Sequence, residues 1–239
     1  MVPTTIEIVD IAGLVKGASK GEGLGNKFLA NIRNTNAIIH VLRCFENDNI
    51  THVDGSIDPV RDKGIIDTEL QLKDLETIEN RLAKTQKQAV VGGDKQAKRA
   101  VEILLQYKAV LEQGLSARTV ELEKEDRKLV ADLNLLTDKP VLYVCNVDEK
   151  SAVTGNEHTR AVEAAIADER AEMLIVAAAT EADIAELDEY EERQMFLEEI
   201  GLKESGVARL IKAAYKLLDL QTFSRPVPTR AVPGLSAGA

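Results

Sequence analysis

The chain has 239 residues, 44% hydrophobic and only 3% aromatic, with no Trp, which is enough for one sizeable aliphatic core or a core with a smaller lobe. A formal net charge of −10 argues against a broad nucleic-acid surface, which needs Lys and Arg to displace counterions from phosphates, and leaves room only for a local basic patch. No uninterrupted apolar run is long enough to span a bilayer and no charged-then-apolar leader opens the sequence, so a soluble cytoplasmic protein is expected.

In chain order, Thr4–Val9 (TTIEIV) alternates β-branched and polar residues and predicts a strand. A Gly-rich loop from Gly13 to Gly25 follows, then a short helix over Lys27–Asn34. Ala37–Leu42 (AIIHVL) reads as a parallel strand buried on both faces. From Asp67 to Leu136 the texture is helical. Leu75, Ile78 and Leu82 share one face, and Ala97, Val101, Leu104, Leu111 and Leu115 continue the pattern, broken at Lys108. Gly92-Gly93 between the two runs predicts the turn of an antiparallel helical hairpin, with a third helix near Lys124–Leu135. Strand texture returns at Pro140–Cys145 (PVLYVC) and Met173–Ala178 (MLIVAA), separated by a helix over His158–Glu169. Helices follow at Tyr190–Ile200 and Val207–Leu218. Strands alternating with helices predict a parallel α/β sheet into which the helical block is inserted. Residues 224–239 hold half of the six prolines without periodicity and are expected to be disordered. Cys44 and Cys145, each within an apolar run, are expected as buried free thiols.

Three motifs carry chemistry. Asp10-Ile11-Ala12-Gly13 is a DxxG at the end of a predicted strand. A carboxylate there can hold Mg²⁺ through water, and the Gly N–H can meet a γ-phosphate; alone, the motif is equally a strand-ending turn. The glycines that follow cost entropy to order, which suits a segment that orders on a ligand. Asn146-Val147-Asp148-Glu149 again ends a strand, where an NKxD would read guanine. Here Val replaces Lys and Glu replaces Asp, which weakens a guanine reading while Asn still serves a purine edge. No GxxxxGK(S/T) phosphate loop occurs anywhere in the chain.

The stretch VDIAGLVKGASKGEGLGNKFLANIR (Val9–Arg33) resembles the switch II region of the Obg-like ATPases, called YchF in bacteria. RCFENDNITHV (Arg43–Val53), NVDE and LLDLQTF (Leu217–Phe223) resemble the same family in the same order. The resemblance implies a TRAFAC-class P-loop NTPase fold, a G domain carrying an inserted α-helical coiled-coil arm. It also implies ATP preferred over GTP, Mg²⁺ dependence and association with ribosomes or translation factors, without membrane or sequence-specific DNA partners. By position, Asp10 and Gly13 would form the Mg²⁺ and γ-phosphate switch. Leu14 stands where many GTPases have a catalytic Gln, so His52 would position the water instead; taken alone, His52 reads as a solvated loop histidine. Asn146 and Val147 would line the base pocket, Glu149 its rim, and Ala178 and Ala179 would complete it with backbone groups.

The family begins with a strand, a P-loop and switch I ahead of the segment that matches Thr4, and ends with a small TGS domain; none of these is found in this sequence. The expectation is therefore an incomplete G domain over residues 1–60 and 137–223, a coiled-coil insertion over 61–136 and a disordered tail over 224–239, without activity alone. Two other readings stay open: a non-catalytic module that binds the ribosome or a translation factor through its helical arm, and a GTP-specific regulatory protein.

Overall fold

A computed structural model describes residues 5–11, 24–50, 55–91 and 94–220. Its centre is a parallel sheet of three strands, β1 (Ile38–Arg43), β2 (Val141–Asn146) and β3 (Glu172–Val176), in the order β1-β2-β3. Ile38 pairs with Val141 and Arg43 with Asn146; Leu142 pairs with Glu172 and Asn146 with Val176. β2 is buried from Val141 to Cys145, as a central parallel strand covered on both faces must be.

The alternation of side chains sorts the sheet into two faces. Leu42, Cys44, Tyr143, Cys145 and Val147 share a core cluster with Val162 of α5 (Glu157–Ala165) and Ile166 beyond it. The other face carries Val176, which a Cβ on Gly206 would meet at 3.0 Å, so α8 (Gly206–Leu217) packs there. α1 (Leu24–Arg33) contributes Leu29 and Ile32 to a third cluster with Leu70 and Leu136. α6 (Ala178–Glu186) and α7 (Tyr190–Glu199) lie between β3 and α8 in the chain.

The crossover from β1 to β2 holds the helical block. α2 runs over Pro59–Val91, α3 over Lys95–Glu112 and α4 over Lys124–Val130. α2 opens on Asp58, whose Oδ1 accepts from the Arg61 N–H at 2.9 Å, with Pro59 in the first helical position. α3 is capped by Asp94, whose carboxylate accepts from the Gln96 N–H at 2.8 Å. Ile78 of α2 and Ile103 and Leu104 of α3 are fully buried against one another's helix. Each contributes about 1.5–3 kcal/mol of burial.

Two polar devices fasten this block to the sheet. Asp74, fully buried on α2, accepts from the N–H groups of Leu136 and Thr137, both at 2.8 Å, and from Thr137 Oγ1 at 2.7 Å. It thereby fixes the segment that leads into β2. Nearer the sheet, Lys63 pairs with Asp67 at 2.5 Å and with Glu169, which also accepts from the Tyr143 hydroxyl at 2.8 Å. The Lys63 ammonium lies 5.2 Å from the Tyr143 ring centroid, and His40 of β1 lies 5.5 Å from the same ring. Charges buried this far are tolerated because each is paired.

Several sequence expectations are corrected. Residues 5–11 form no strand: Ile8 and Val9 are 61% and 54% exposed and the segment joins no sheet. Alternation gives strand propensity, but a strand forms only where neighbouring strands and faces receive it. β1 is not buried on both faces, for its Val41 is 61% exposed; among the described residues it is an edge strand, paired only with β2. The helix expected from Asp67 begins at Pro59. α3 ends at Glu112, so Leu115 lies beyond it and is 46% exposed. β3 stops at Val176, and Ala178 opens a helix. The tail 224–239 and the Gly92-Gly93 turn lie outside the described residues. Cys44 and Cys145 are free and buried as expected; their contact with each other, together with burial, pushes the Cys44 thiol well above its usual range.

Candidate nucleotide-binding site

Parallel strands end together, so their loops gather along one edge of the sheet, where such folds take ligands. After β1 the chain is folded around the Arg43 guanidinium. Nε donates to Phe45 O at 3.1 Å, Nη1 to Ile50 O at 2.9 Å and Nη2 to Asn47 O at 3.2 Å, and the group stacks over the Phe45 ring at 4.9 Å. A planar fork with five donors suits three converging carbonyls as an ammonium could not. The Cys44 N–H extends the ladder to Asn146 O at 2.7 Å, and Asn156 Nδ2 donates to Cys44 O at 2.7 Å. Asn156 also caps α5 reciprocally with Thr159, so the ends of β1, β2 and α5 are fastened together.

After β2, the Val147 N–H donates to Val176 O at 2.9 Å, which continues the pairing with β3 and buries the Val147 side chain. Asn146 Oδ1 accepts from the Ala178 N–H at 3.0 Å. That N–H is one of the donors left free at the start of α6, so Asn146 acts as a tertiary cap and joins the β2 and β3 loops. With Oδ1 so engaged, the –NH₂ group is the donor that Asn146 has left to offer. Asp148 Oδ1 accepts from the Ser151 N–H at 3.2 Å and caps the single 3-10 turn Glu149–Ser151, while Glu149 itself is exposed. Ala178 and Ala179 are both exposed at the mouth of the β3 loop.

The structure thus brings together Asn146, Val147 and Ala178, with Glu149 and Ala179 next to them in the chain. Asp10 is exposed in the irregular segment 5–11, and no hydrogen bond or ion pair among the described residues links it to Asn146 or Ala178. Gly13, Leu14 and His52 lie outside the described residues. Arg43 and Asn156 were not singled out by sequence. Arg43 could have been found as a cation ending a strand before an Asn- and Asp-rich loop whose turns leave carbonyls free to accept; Asn156 carries only the weaker signal of a polar residue ahead of a helix.

Among the described residues no group of three or more His, Cys, Asp and Glu could hold a metal ion. Mg²⁺ in nucleotide sites is held largely by phosphates and water with one or two carboxylates, so a lone Asp10 fits that ion only in company with a nucleotide. No helix among the described residues is long and apolar enough to cross a membrane.

The chain resembles known proteins in sequence and in fold. A family profile described as 50S ribosome-binding GTPase matches residues 2–95. The "Ribosome-binding ATPase YchF" of Bacillus subtilis (strain 168) is 52% identical over 224 residues, 93% of this chain and 61% of that protein. Its counterpart in Escherichia coli O157:H7 is 51% identical over 221 residues, 92% of this chain and 60% of that one. The solved structure of the Schizosaccharomyces pombe YchF GTPase superposes with a TM-score of 0.74 at 30% identity, over 87% of this chain and 57% of that one. The chain spans about 61% of the length of the Bacillus relative. Half of all residues identical over nine-tenths of the chain, on a shared P-loop GTPase fold, means that the chain belongs to the Obg-like ATPase (YchF) family.

Proposed function

We propose that this chain carries the switch segment and the base pocket of a cytoplasmic, ribosome-associated ATPase that takes ATP, and GTP less well, with Mg²⁺. The observation that carries the reading is the Asn146–Ala178 hydrogen bond, which joins two strand-end loops into one edge for a flat ligand. The Asn146 –NH₂ group can donate to N7, an acceptor on both adenine and guanine. Val147 supplies an apolar wall, Glu149 the rim, and the backbones of Ala178 and Ala179 the remaining contacts. Because N7 is common to both purines, Asn146 secures a purine rather than choosing between them. Any preference for ATP then comes from Glu149, whose longer side chain leaves guanine's N1–H and amino group without the acceptor an Asp would offer.

In the same reading, Asp10 orients the water shell of Mg²⁺ and the Gly13 N–H meets the γ-phosphate. Mg²⁺, when bound, would neutralise charge on the transferring phosphate. His52 positions the attacking water, since Leu14 cannot accept or donate a hydrogen bond. Arg43 is a positioning residue: it folds the Phe45–Ile50 stretch directly ahead of His52. Residues 61–136 act as a coiled-coil arm on the partial G domain of 1–60 and 137–223.

Phosphate affinity in such proteins comes mainly from a P-loop, which these 239 residues do not contain. The chain by itself therefore binds nucleotide weakly and turns it over at background. Steady-state hydrolysis of ATP and of GTP by the purified chain, beside a full-length relative, tests this. Background release of phosphate is expected, and turnover at the relative's rate overturns it.

A further inference from the structure

We propose that the free edge of β1 is a homodimer interface, pairing antiparallel with the same edge of a second copy across a two-fold axis at Val41. The inference goes beyond the nucleotide reading and does not depend on it.

The ladder to β2 engages only alternate residues of β1. The Ile38 N–H donates to Pro140 O at 2.9 Å and the Cys44 N–H to Asn146 O at 2.7 Å. In a parallel ladder alternate residues bond the same neighbour, so Ile38, His40, Leu42 and Cys44 turn their N–H and C=O groups towards β2. Ile39, Val41 and Arg43 turn theirs the other way, where no backbone partner meets them among the described residues. Val41, in the middle of this row, is 61% exposed. The opposite edge of the sheet is better covered, for every residue of β3 is half-buried.

A row of unpaired backbone groups recruits another strand unless the sequence prevents it, usually with Lys, Pro or a bulge. β1 carries none of these. It opens IIHVL in a chain with 29% charged residues, and its register with β2 runs unbroken from Ile38 to Arg43.

The edge also matches itself. Residues opposite one another in an antiparallel pair alternate between exchanging both hydrogen bonds and exchanging none. With Val41 opposite its own counterpart, Ile39 falls opposite Arg43, and every outward N–H and C=O finds a partner. His40 then faces Leu42 and Ile38 faces Cys44, so no like charges oppose one another. A shift of two residues in either direction leaves Ile39 or Arg43 without a partner on the other strand. A two-fold contact of this kind uses the edge up and stops at two copies.

The test uses the full chain in sedimentation equilibrium and amide hydrogen exchange. Wild type is expected to pass from monomer to dimer between about 1 µM and about 0.5 mM, as a small interface does. Over that range the amides of Ile39, Val41 and Arg43 should gain protection, while those of His40 and Leu42 are protected throughout. Val41→Pro removes the central outward N–H and leaves the ladder to β2 intact. With unchanged circular dichroism it should dimerise at least about tenfold more weakly. Val41→Lys and Val41→Glu each set like charges against one another at the axis and should be monomeric alone; mixed in equal amounts they should form a heterodimer. Should Val41→Pro fail to fold, the two charged variants decide. Wild type that stays monomeric at about 0.5 mM, with exchange independent of concentration, overturns the proposal. So do dimers that both charged variants still form alone, a mixture that restores nothing, and association that continues beyond two copies.

Discussion

Asn146 Oδ1 accepts a hydrogen bond from the Ala178 N–H at 3.0 Å, across 32 residues of sequence, and so fastens the end of one strand to the helix that follows the next. Asn146→Ala removes this cap and the –NH₂ donor together. A loss of about 1 kcal/mol in thermal or urea denaturation is expected, with purine nucleotide binding lost. Asn146→Asp keeps the acceptor and deletes the donor, so it should hold most of the stability and still fail to bind nucleotide. Retained binding in Asn146→Asp would remove the –NH₂ group from the site.

Arg43 organises the loop ahead of His52 through three carbonyls. In Arg43→Lys a point charge replaces the planar fork and at most one or two of those contacts can be remade. Hydrogen exchange of the Phe45–Ile50 amides should accelerate about tenfold, with a global cost of about 1 kcal/mol. Unchanged exchange would mean that the loop holds itself.

Asp74→Ala leaves the buried Leu136 and Thr137 N–H groups without an acceptor. Two unsatisfied donors cost about 2–5 kcal/mol together, enough to unfold much of a marginal domain. Asp74→Asn keeps one acceptor oxygen and should recover roughly half of the loss. A melting midpoint for the Ala variant within a degree or two of wild type, by circular dichroism, would contradict the role.

Burial beside Tyr143 holds the His40 pKa below its usual 6.5; Asp67 and Glu169 push it up, Lys63 and Arg118 down, and burial dominates. The folded state thus takes up the proton less readily than the unfolded chain. Its contribution is complete above pH 6.5 and is lost as pH falls below 6.5 towards the folded value. Denaturation of wild type and His40→Phe across about pH 8 to 5 isolates it. The difference between them should move in favour of the variant on acidification and be flat above neutrality; a flat difference throughout would show that His40 is not desolvated.

The sequence made some elements plain and hid others for physical reasons. Val141–Cys145 was legible because a central parallel strand is apolar on both faces, and Ile78, Leu82 and Leu104 because one helical face carries the hairpin core. The start of α2 was written in Asp58-Pro59, a cap and a first-turn proline, but the helical texture was read only from Asp67. α6 was missed because its N-terminal partner is Asn146, far away in sequence. TTIEIV carries the alternation of a strand, yet residues 6–9 pair with nothing among the described residues, so local pattern and tertiary context part there. The NVDE motif was found by spacing alone, but that Asp148 serves the local turn and Asn146 the neighbouring loop is visible only in three dimensions.

The most direct test of the base pocket is a heteronuclear NMR titration of the chain with Mg-ATP, which reads weak binding residue by residue. Saturable shifts at the amides of Asn146, Val147, Ala178 and Ala179, absent from Asn146→Ala, are predicted. Shifts confined to α2 and α3, or none at the ends of β2 and β3 at saturating nucleotide, would contradict the account.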